Sequence, residues 1–206
     1  MQFNKPELNI LKKLSSPNKI QIFLDNLPYN TDDIVRSPRY VLKERKAHCL
    51  DGAMFAAACL KLLGYKPLLV DMISVNDDDH VLAVFKKKNW GAIGKSNFTT
   101  LTYREPVYKT LRELIMSYFD VYFNSIGEKT LRGYSQPFNL DKYKDWMTTS
   151  KNLDYIGDAI DKTRHFPVID KRAEKNLSLT NKKLLKAGLL GSDPKGLYKP
   201  EKYLKI

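Results

Sequence analysis

The segment from Cys49 to Leu63 most constrains how this 206-residue chain can fold, because apolar side chains surround its predicted helix on nearly every side. Such a helix belongs in the middle of a core, where neighbouring elements cover all of its faces. Its alanines allow those neighbours to approach closely, and Gly64 provides a C-terminal stop. The sequence therefore predicts a fold organised around one central helix.

Three short apolar segments with strand-like composition follow this helix. They run from Pro67 to Ile73, from His80 to Phe85, and from Trp90 to about Asn97. Short polar connections join them, which is typical of antiparallel neighbours. An amphipathic stripe between Val107 and Phe123 then predicts a helix that packs on the sheet or on the central helix. The pattern indicates the α+β class, with the central helix packed on a small antiparallel sheet.

The two ends of the chain differ in how clearly they are patterned. Ser16-Pro17 and Ser37-Pro38 each combine an N-cap residue with a proline at the first helical position, so two helices are expected ahead of the central one. After residue 128 the hydrophobic pattern weakens and only short helices are indicated. We therefore predict a core with N-terminal helices at 1–128 and a basic, mostly helical C-terminal extension packed on it at 129–206.

The net charge of +12 is unevenly distributed, since residues 129–206 contain 17 Lys and Arg against 9 Asp and Glu. A basic surface of this kind can attract an acidic protein or nucleic acid, although without a nucleic-acid-binding motif a solvated surface is the simpler interpretation. No segment has the length and apolarity of a membrane span, so no membrane partner is predicted. Two cysteines are too few for a disulfide framework, which favours the cytoplasm.

Cys49 and His80 form the predicted catalytic pair. Cys49 opens the central helix, where backbone N–H groups and the helix dipole favour the thiolate, and its own N–H is the natural oxyanion donor. His80 opens a strand in the best-patterned part of the chain, where it can accept or return a proton. His48 projects about 100° away from its neighbour Cys49 on the helix, and His165 lies in the weakly patterned region. Cys59, in mid-helix, is expected to be a core residue.

A third residue should hold the imidazole in the required tautomer. Opposed residues of an antiparallel hairpin have numbers with a constant sum, and a turn at residues 87–89 gives a sum of about 175 to 177. His80 would then face Lys95, Ser96 or Asn97. Lysine cannot accept a hydrogen bond and serine is a weaker orienter, so we choose Asn97, with Ser96 second.

The acidic run Asp77-Asp78-Asp79 precedes His80. We predict that this run forms a polar hairpin turn, because it lacks further ligands at the spacing of a calcium loop. A Cys and His set without the spacing of a zinc site is a weak metal signal. No metal and no cofactor is therefore predicted.

These residues resemble the transglutaminase-like (papain-like) cysteine hydrolase superfamily, in which Cys, His and a polar third member follow in this order. A narrower similarity, from Cys49 to Phe123 and more faintly to about Pro167, is to an uncharacterised group of bacterial transglutaminase-like cysteine-peptidase homologues. The matching pieces are His48-Cys49-Leu50-Asp51-Gly52-Ala53, Leu62-Leu63-Gly64-Tyr65, Asp78-Asp79-His80-Val81, Trp90-Gly91-Ala92-Ile93 and Arg104-Glu105-Pro106-Val107-Tyr108.

The resemblance implies a papain-like core with a cleft between helix and sheet, Cys49 as nucleophile and His80 as base. Asn97 is a departure, since transglutaminases generally carry Asp as the third member, and calcium dependence is not implied. We expect a cysteine hydrolase, a peptidase or amidase, that works through a thioester. The alternatives are an acyl or amine transferase with the same triad, and an inactive relative that serves as a basic binding module.

Overall fold

The computed structural model describes residues 3–32 and 34–199, which combine helices with one antiparallel sheet and confirm the α+β class. Within these residues, every helix is too short or too polar to cross a membrane. The helices are α1 (Lys5–Lys13), α2 (Pro17–Asp25), α3 (Pro38–Glu44), α4 (Cys49–Leu62), α5 (Leu111–Met116), α6 (Asp154–Asp161), α7 (Lys171–Lys175) and α8 (Lys182–Gly188). The strands are β1 (Leu68–Ser74), β2 (His80–Lys86), β3 (Trp90–Ile93), β4 (Arg104–Tyr108), β5 (Leu131–Ser135), β6 (Phe138–Asn139) and β7 (His165–Pro167).

The predicted central helix is confirmed as α4. Every residue from Leu50 to Leu60 is buried, because β1 and β2 cover one side of the helix while α2 and α3 cover another. Its alanines carry little side-chain bulk, which lets these four elements approach closely. The helix ends before Gly64, whose φ of +82° is a conformation that glycine adopts without strain.

The two helices predicted ahead of the central one, α2 and α3, begin at the expected prolines, and a third helix, α1, precedes them. Ser16 caps α2, and its hydroxyl accepts a hydrogen bond from the Lys19 N–H at 3.3 Å. Ser37 precedes α3 but uses its hydroxyl differently, donating to the carbonyl of Thr149 at 2.7 Å. The N-cap of α3 therefore also ties the helix to the C-terminal half of the chain.

In the sheet, the described strands follow the order β4-β3-β2-β1-β5-β7, and β6 also pairs with β1. Side chains alternate between its two faces. On β2, Val81, Ala83 and Phe85 belong to the core around α4, while Leu82 and Val84 belong to a second core on the other face, with α5 and several aromatic residues. The alternation places His80 on the side of Leu82, at the end of the sheet nearest the first turn of α4.

The predicted helix from Val107 to Phe123 is too long. Its beginning is part of β4, which pairs with β3, and its end is a 3-10 turn at Phe119–Val121. Thr110 sets the start of α5, because its hydroxyl accepts from the Glu113 N–H at 3.1 Å in a capping box. The apolar stripe nevertheless faces inward, with four fully buried members: Leu114, Ile115, Tyr118 and Tyr122.

The region after residue 128 carries the helices α6, α7 and α8, but it also contributes β5, β6 and β7 to the same sheet, and we had not predicted these strands. β5 pairs with β1, so hydrogen bonds of the sheet cross the predicted boundary at 128/129. The strand is short and contains Arg132 and Gly133, which hide its pattern in the sequence. Its conformation comes from pairing with the buried β1 rather than from its own propensity.

Candidate functional site

A cavity of about 180 Å³ lies where the first turn of α4 meets the start of β2. Cys49, His80 and Asn97, the three predicted site residues, all line it, as does Ser96. The chain brings them together because α4 packs against β2, while the segment after β3 passes the same end of the sheet. The other lining residues are Tyr29, His48, Asp77, Asp78, Asp79, Phe98, Leu101, Tyr122, Gly196 and Tyr198.

His48 is the N-cap of α4. Its Nδ1 accepts hydrogen bonds from the N–H groups of Leu50 at 3.1 Å and Asp51 at 3.4 Å. The buried Asp51 carboxylate accepts in turn from the N–H of Arg36 at 2.7 Å, which anchors the preceding loop to the helix. Burial lowers the pKa of His48. This histidine holds the first turn of α4, and its Nδ1 lone pair is already used.

Cys49 is half-buried at this terminus, and burial raises the pKa of its thiol to about 12. The backbone N–H groups of Val81 and Leu50 contact the sulfur and favour the thiolate, whereas the negative charge of Asp71 opposes it. The position at a helix N-terminus led us to expect a stabilised thiolate. That expectation is wrong for this conformation, because desolvation outweighs the N–H groups.

Tyr29 lies beside the nucleophile. A parallel bridge with Ala47 places it there, and the N–H of Cys49 contacts its phenol oxygen. Burial raises the pKa of Tyr29, and the Cys49 N–H opposes that shift. The N–H that we predicted as an oxyanion donor therefore already has a protein partner. Sequence reasoning missed Tyr29, because a lone tyrosine in a loop carries no chemical signature.

The ring of His80 is buried and held by a backbone carbonyl. Its Nε2–H donates to the oxygen of Leu101 at 2.9 Å, so Nδ1 is the nitrogen left to accept a proton. Burial lowers the pKa of His80 to about 4, against the opposing effect of the Leu101 carbonyl. The histidine is therefore neutral at physiological pH, with its tautomer fixed by the main chain.

Asn97 does not orient His80, which corrects our prediction. Its Nδ2 donates to the carbonyl of Asp193 at 2.8 Å, and its Oδ1 accepts from the N–H of the same residue at 2.8 Å. The hairpin register has the expected sum, since Ala83 pairs with Ile93, but the described ladder stops there. Gly94 and Lys95 instead contact α2, so the segment does not continue opposite His80.

Gly94 and Lys95 divert the chain away from the ladder. The N–H of Gly94 donates to Oε1 of Gln21 at 3.1 Å. The ammonium of Lys95 donates to the carbonyls of Leu24, at 3.0 Å, and Leu27 near the end of α2. These contacts fix the chain against α2 just before Ser96 and Asn97, the two residues of this segment that line the cavity.

The acidic run forms a turn, and its three carboxylates line the cavity. Asp77 accepts from the Thr130 hydroxyl at 2.7 Å, and Asp79 accepts from the Ser74 N–H at 2.6 Å. Burial raises the pKa of all three groups, that of Asp77 to about 7. Among the described residues, His, Cys, Asp and Glu side chains form no group of three that could hold a metal ion.

Asp71 is a second group that sequence reasoning missed. It lies on β1 opposite Val81 and is buried, and its Oδ1 has no hydrogen-bond partner among the described residues. Burial, followed by the charges of Asp79 and Asp161, raises its pKa to about 7. A signal was present, because a single carboxylate inside the apolar strand Leu68–Ser74 has no structural reason to be there.

The sequence was also compared with models of protein families and with curated proteins. No family model and no curated protein matches it.

Proposed function

We propose that the protein is a cysteine-dependent hydrolase, a peptidase or amidase, with a papain- or transglutaminase-like core. The observation that carries the proposal is that the α4 N-terminal thiol and a histidine with a fixed tautomer line one cavity. Cys49 is the nucleophile and His80 the base. The carbonyl of Leu101 takes the orienting position that a third side chain occupies in most catalytic triads.

In this mechanism the resting pair is a neutral thiol and a neutral imidazole. Nδ1 of His80 takes the proton of the Cys49 thiol as the sulfur attacks the carbonyl carbon of an amide. The tetrahedral intermediate collapses when the imidazolium gives this proton to the departing amine, which leaves a thioester on Cys49. Water then attacks the thioester, and the products are a carboxylic acid and the regenerated thiol.

Tyr29 has a defined place in this scheme. In the resting site its oxygen accepts from the Cys49 N–H, the donor that the tetrahedral intermediate needs. When the substrate carbonyl binds, its oxygen replaces the phenol as acceptor. Tyr29 thus keeps the N–H partnered until substrate arrives.

The test compares Cys49→Ala with Cys59→Ala, since both remove a thiol from the same helix. The full chain is incubated with a mixed peptide library, and new carboxyl termini are identified by mass spectrometry. The proposal expects cleavage by the wild type and by Cys59→Ala, and none by Cys49→Ala. Equal cleavage by all three would reject the site, and no cleavage by any would favour a non-catalytic binding module.

Amine transfer is the second candidate, and the carboxylates of Asp77, Asp78 and Asp79 on the cavity wall favour it. Negative charge beside the thioester would attract a protonated amine. Once His80 has taken a proton from the amine, the amine nitrogen attacks the thioester in place of water, which gives an amide and the regenerated thiol. Incorporation of a fluorescent primary amine into a glutamine-bearing peptide would separate this reaction from hydrolysis.

The basic C-terminal region is proposed to bind an acidic protein or nucleic acid. Six of its cationic residues are exposed on α7 and α8: Lys171, Arg172, Lys175, Lys182, Lys183 and Lys186. We propose a cytoplasmic location, because two cysteines are too few for a disulfide framework.

A further inference from the structure

We propose that residues 193–198 are a built-in peptide ligand of the cleft, and that the cleft accepts in trans a peptide whose glycine fits between Tyr29 and Asn97. The inference deepens the proposed function, on which it rests, by naming the substrate class. It also assigns Asn97 a role as the residue that captures a peptide backbone.

The first observation is the reciprocal pair between Asn97 and Asp193. Both hydrogen bonds, each 2.8 Å long, go to the main chain of Asp193, so the contact does not depend on which side chain stands there. Asn97 is only 8% exposed. A buried amide that binds both the N–H and the C=O of one residue is a backbone-recognition device, because it satisfies both groups of any peptide placed there.

The second observation is a narrow slot around Gly196, in which even a Cβ would be tightly packed. A Cβ added to Gly196 would lie 3.0 Å from two ring atoms of Tyr29 and 3.1 Å from Nδ2 of Asn97. The φ of Gly196 is not in the left-handed region, so the backbone conformation does not require glycine. The close approach of Tyr29 and Asn97 is what leaves little room for a larger residue.

The third observation is that the segment continues across the cavity. The Tyr198 carbonyl accepts from the Ser125 hydroxyl at 3.0 Å, and Tyr198 lines the same cavity as Cys49. Lys195 lines an adjoining cavity together with Asp32 and Asp78. Contacts at three points, Asp193, Gly196 and Tyr198, describe a bound peptide rather than a chance covering.

Gly196 and Tyr198 line the same cavity as the half-buried Cys49, so we expect the bound segment to hinder access to the thiol. The first experiment measures alkylation of Cys49 by iodoacetamide in the native full chain, with the buried Cys59 as an internal reference. Gly196→Val adds bulk that the slot cannot hold, and Asn97→Ala removes both backbone hydrogen bonds. Because alkylation follows the population of the open form, we expect each variant to react at least about tenfold faster than the wild type.

Gly157→Ala is the control for removal of a glycine. Its added Cβ would meet Leu50 at 3.5 Å, an ordinary contact, so its alkylation rate should equal that of the wild type. Circular dichroism establishes that each variant is folded. Unchanged alkylation in folded Gly196→Val and folded Asn97→Ala would overturn the proposal.

The second experiment tests recognition in trans. A fluorescent peptide with the sequence Ser-Asp-Pro-Lys-Gly-Leu-Tyr-Lys, which reproduces residues 192–199, is titrated into Gly196→Val. Saturable anisotropy that disappears when the peptide glycine is replaced by valine supports the proposal, and equal binding of both peptides contradicts it. Binding does not require catalysis, so a peptide that binds but is never cleaved would reject the hydrolase and retain the ligand site.

Discussion

The Nε2–H of His80 donates to the backbone carbonyl of Leu101 at 2.9 Å, so the main chain rather than a side chain fixes the tautomer of the proposed base. We expect ¹⁵N NMR of the imidazole to show the Nε2–H tautomer, with a protonation midpoint near pH 4, as burial dictates. Asn97→Ala should leave this spectrum unchanged. A switch to the Nδ1–H tautomer in that variant would show that Asn97 does orient the ring.

The half-buried Cys49 thiol should behave as an unactivated group in the resting protein. Its pKa of about 12 means that the thiolate fraction rises about tenfold per pH unit throughout the range from 7 to 10. The rate of alkylation of the wild type should therefore keep rising up to pH 10. A plateau below pH 8 would reveal a stabilised thiolate and contradict the account of desolvation.

Asp71→Asn should change how stability depends on pH. The pKa of Asp71 in the folded protein, about 7, lies above the ordinary value, so the folded state holds a proton that the unfolded chain has released. The stability that this group contributes at low pH is lost as the pH rises toward and through 7. Asparagine removes that loss. We therefore expect urea unfolding at pH 8 to give Asp71→Asn a free energy of unfolding about 2 kcal/mol above that of the wild type, with little difference at pH 4.

Asp158 provides the matched control for this measurement, because it is exposed on α6. Asp158→Asn should follow the wild type at both pH values. Coincident urea unfolding curves for Asp71→Asn and the wild type at pH 8 would show that burial of the ionised Asp71 carboxylate does not destabilise the protein.

Gly52 is required by close packing inside α4. A Cβ at this position would lie 2.3 Å from Cβ of Lys95, whose ammonium is fixed to two carbonyls at the end of α2. Gly52→Ala should therefore destabilise the protein by about 2 kcal/mol, although alanine is the better helix former. Gly157→Ala in α6 should be neutral or stabilising in the same urea experiment, and equal effects at both sites would refute the packing argument.

The part of the fold that the sequence predicts is the part with a strong local pattern. The apolar run of α4 can only be buried, and the proline-capped helices start at Pro17 and Pro38 as expected. β5 could not be predicted, because a five-residue strand with a glycine and an arginine is stabilised by its partner and not by its own residues.

The site residues also divide into those that a sequence pattern indicates and those that it does not. Cys49 and His80 were recognisable because each opens a well-patterned element, and the structure places both at one cavity. Leu101 acts through its backbone carbonyl, which every residue has, so no sequence pattern indicates it. Asn97 was chosen from a register that is correct as far as Ile93, but contacts with α2 end the ladder before Asn97 is reached.

The most direct test of the central claim is to trap the acyl group. Full-length protein with Gly196→Val, with and without His80→Ala, is exposed briefly to an activated peptide ester and mapped by mass spectrometry. We predict that a thioester forms on Cys49 when His80 is present and forms much more slowly when His80 is replaced by alanine, because no base then takes the proton of the thiol. Acylation elsewhere, or equally fast formation of the Cys49 thioester in both proteins, would contradict the assignment of nucleophile and base.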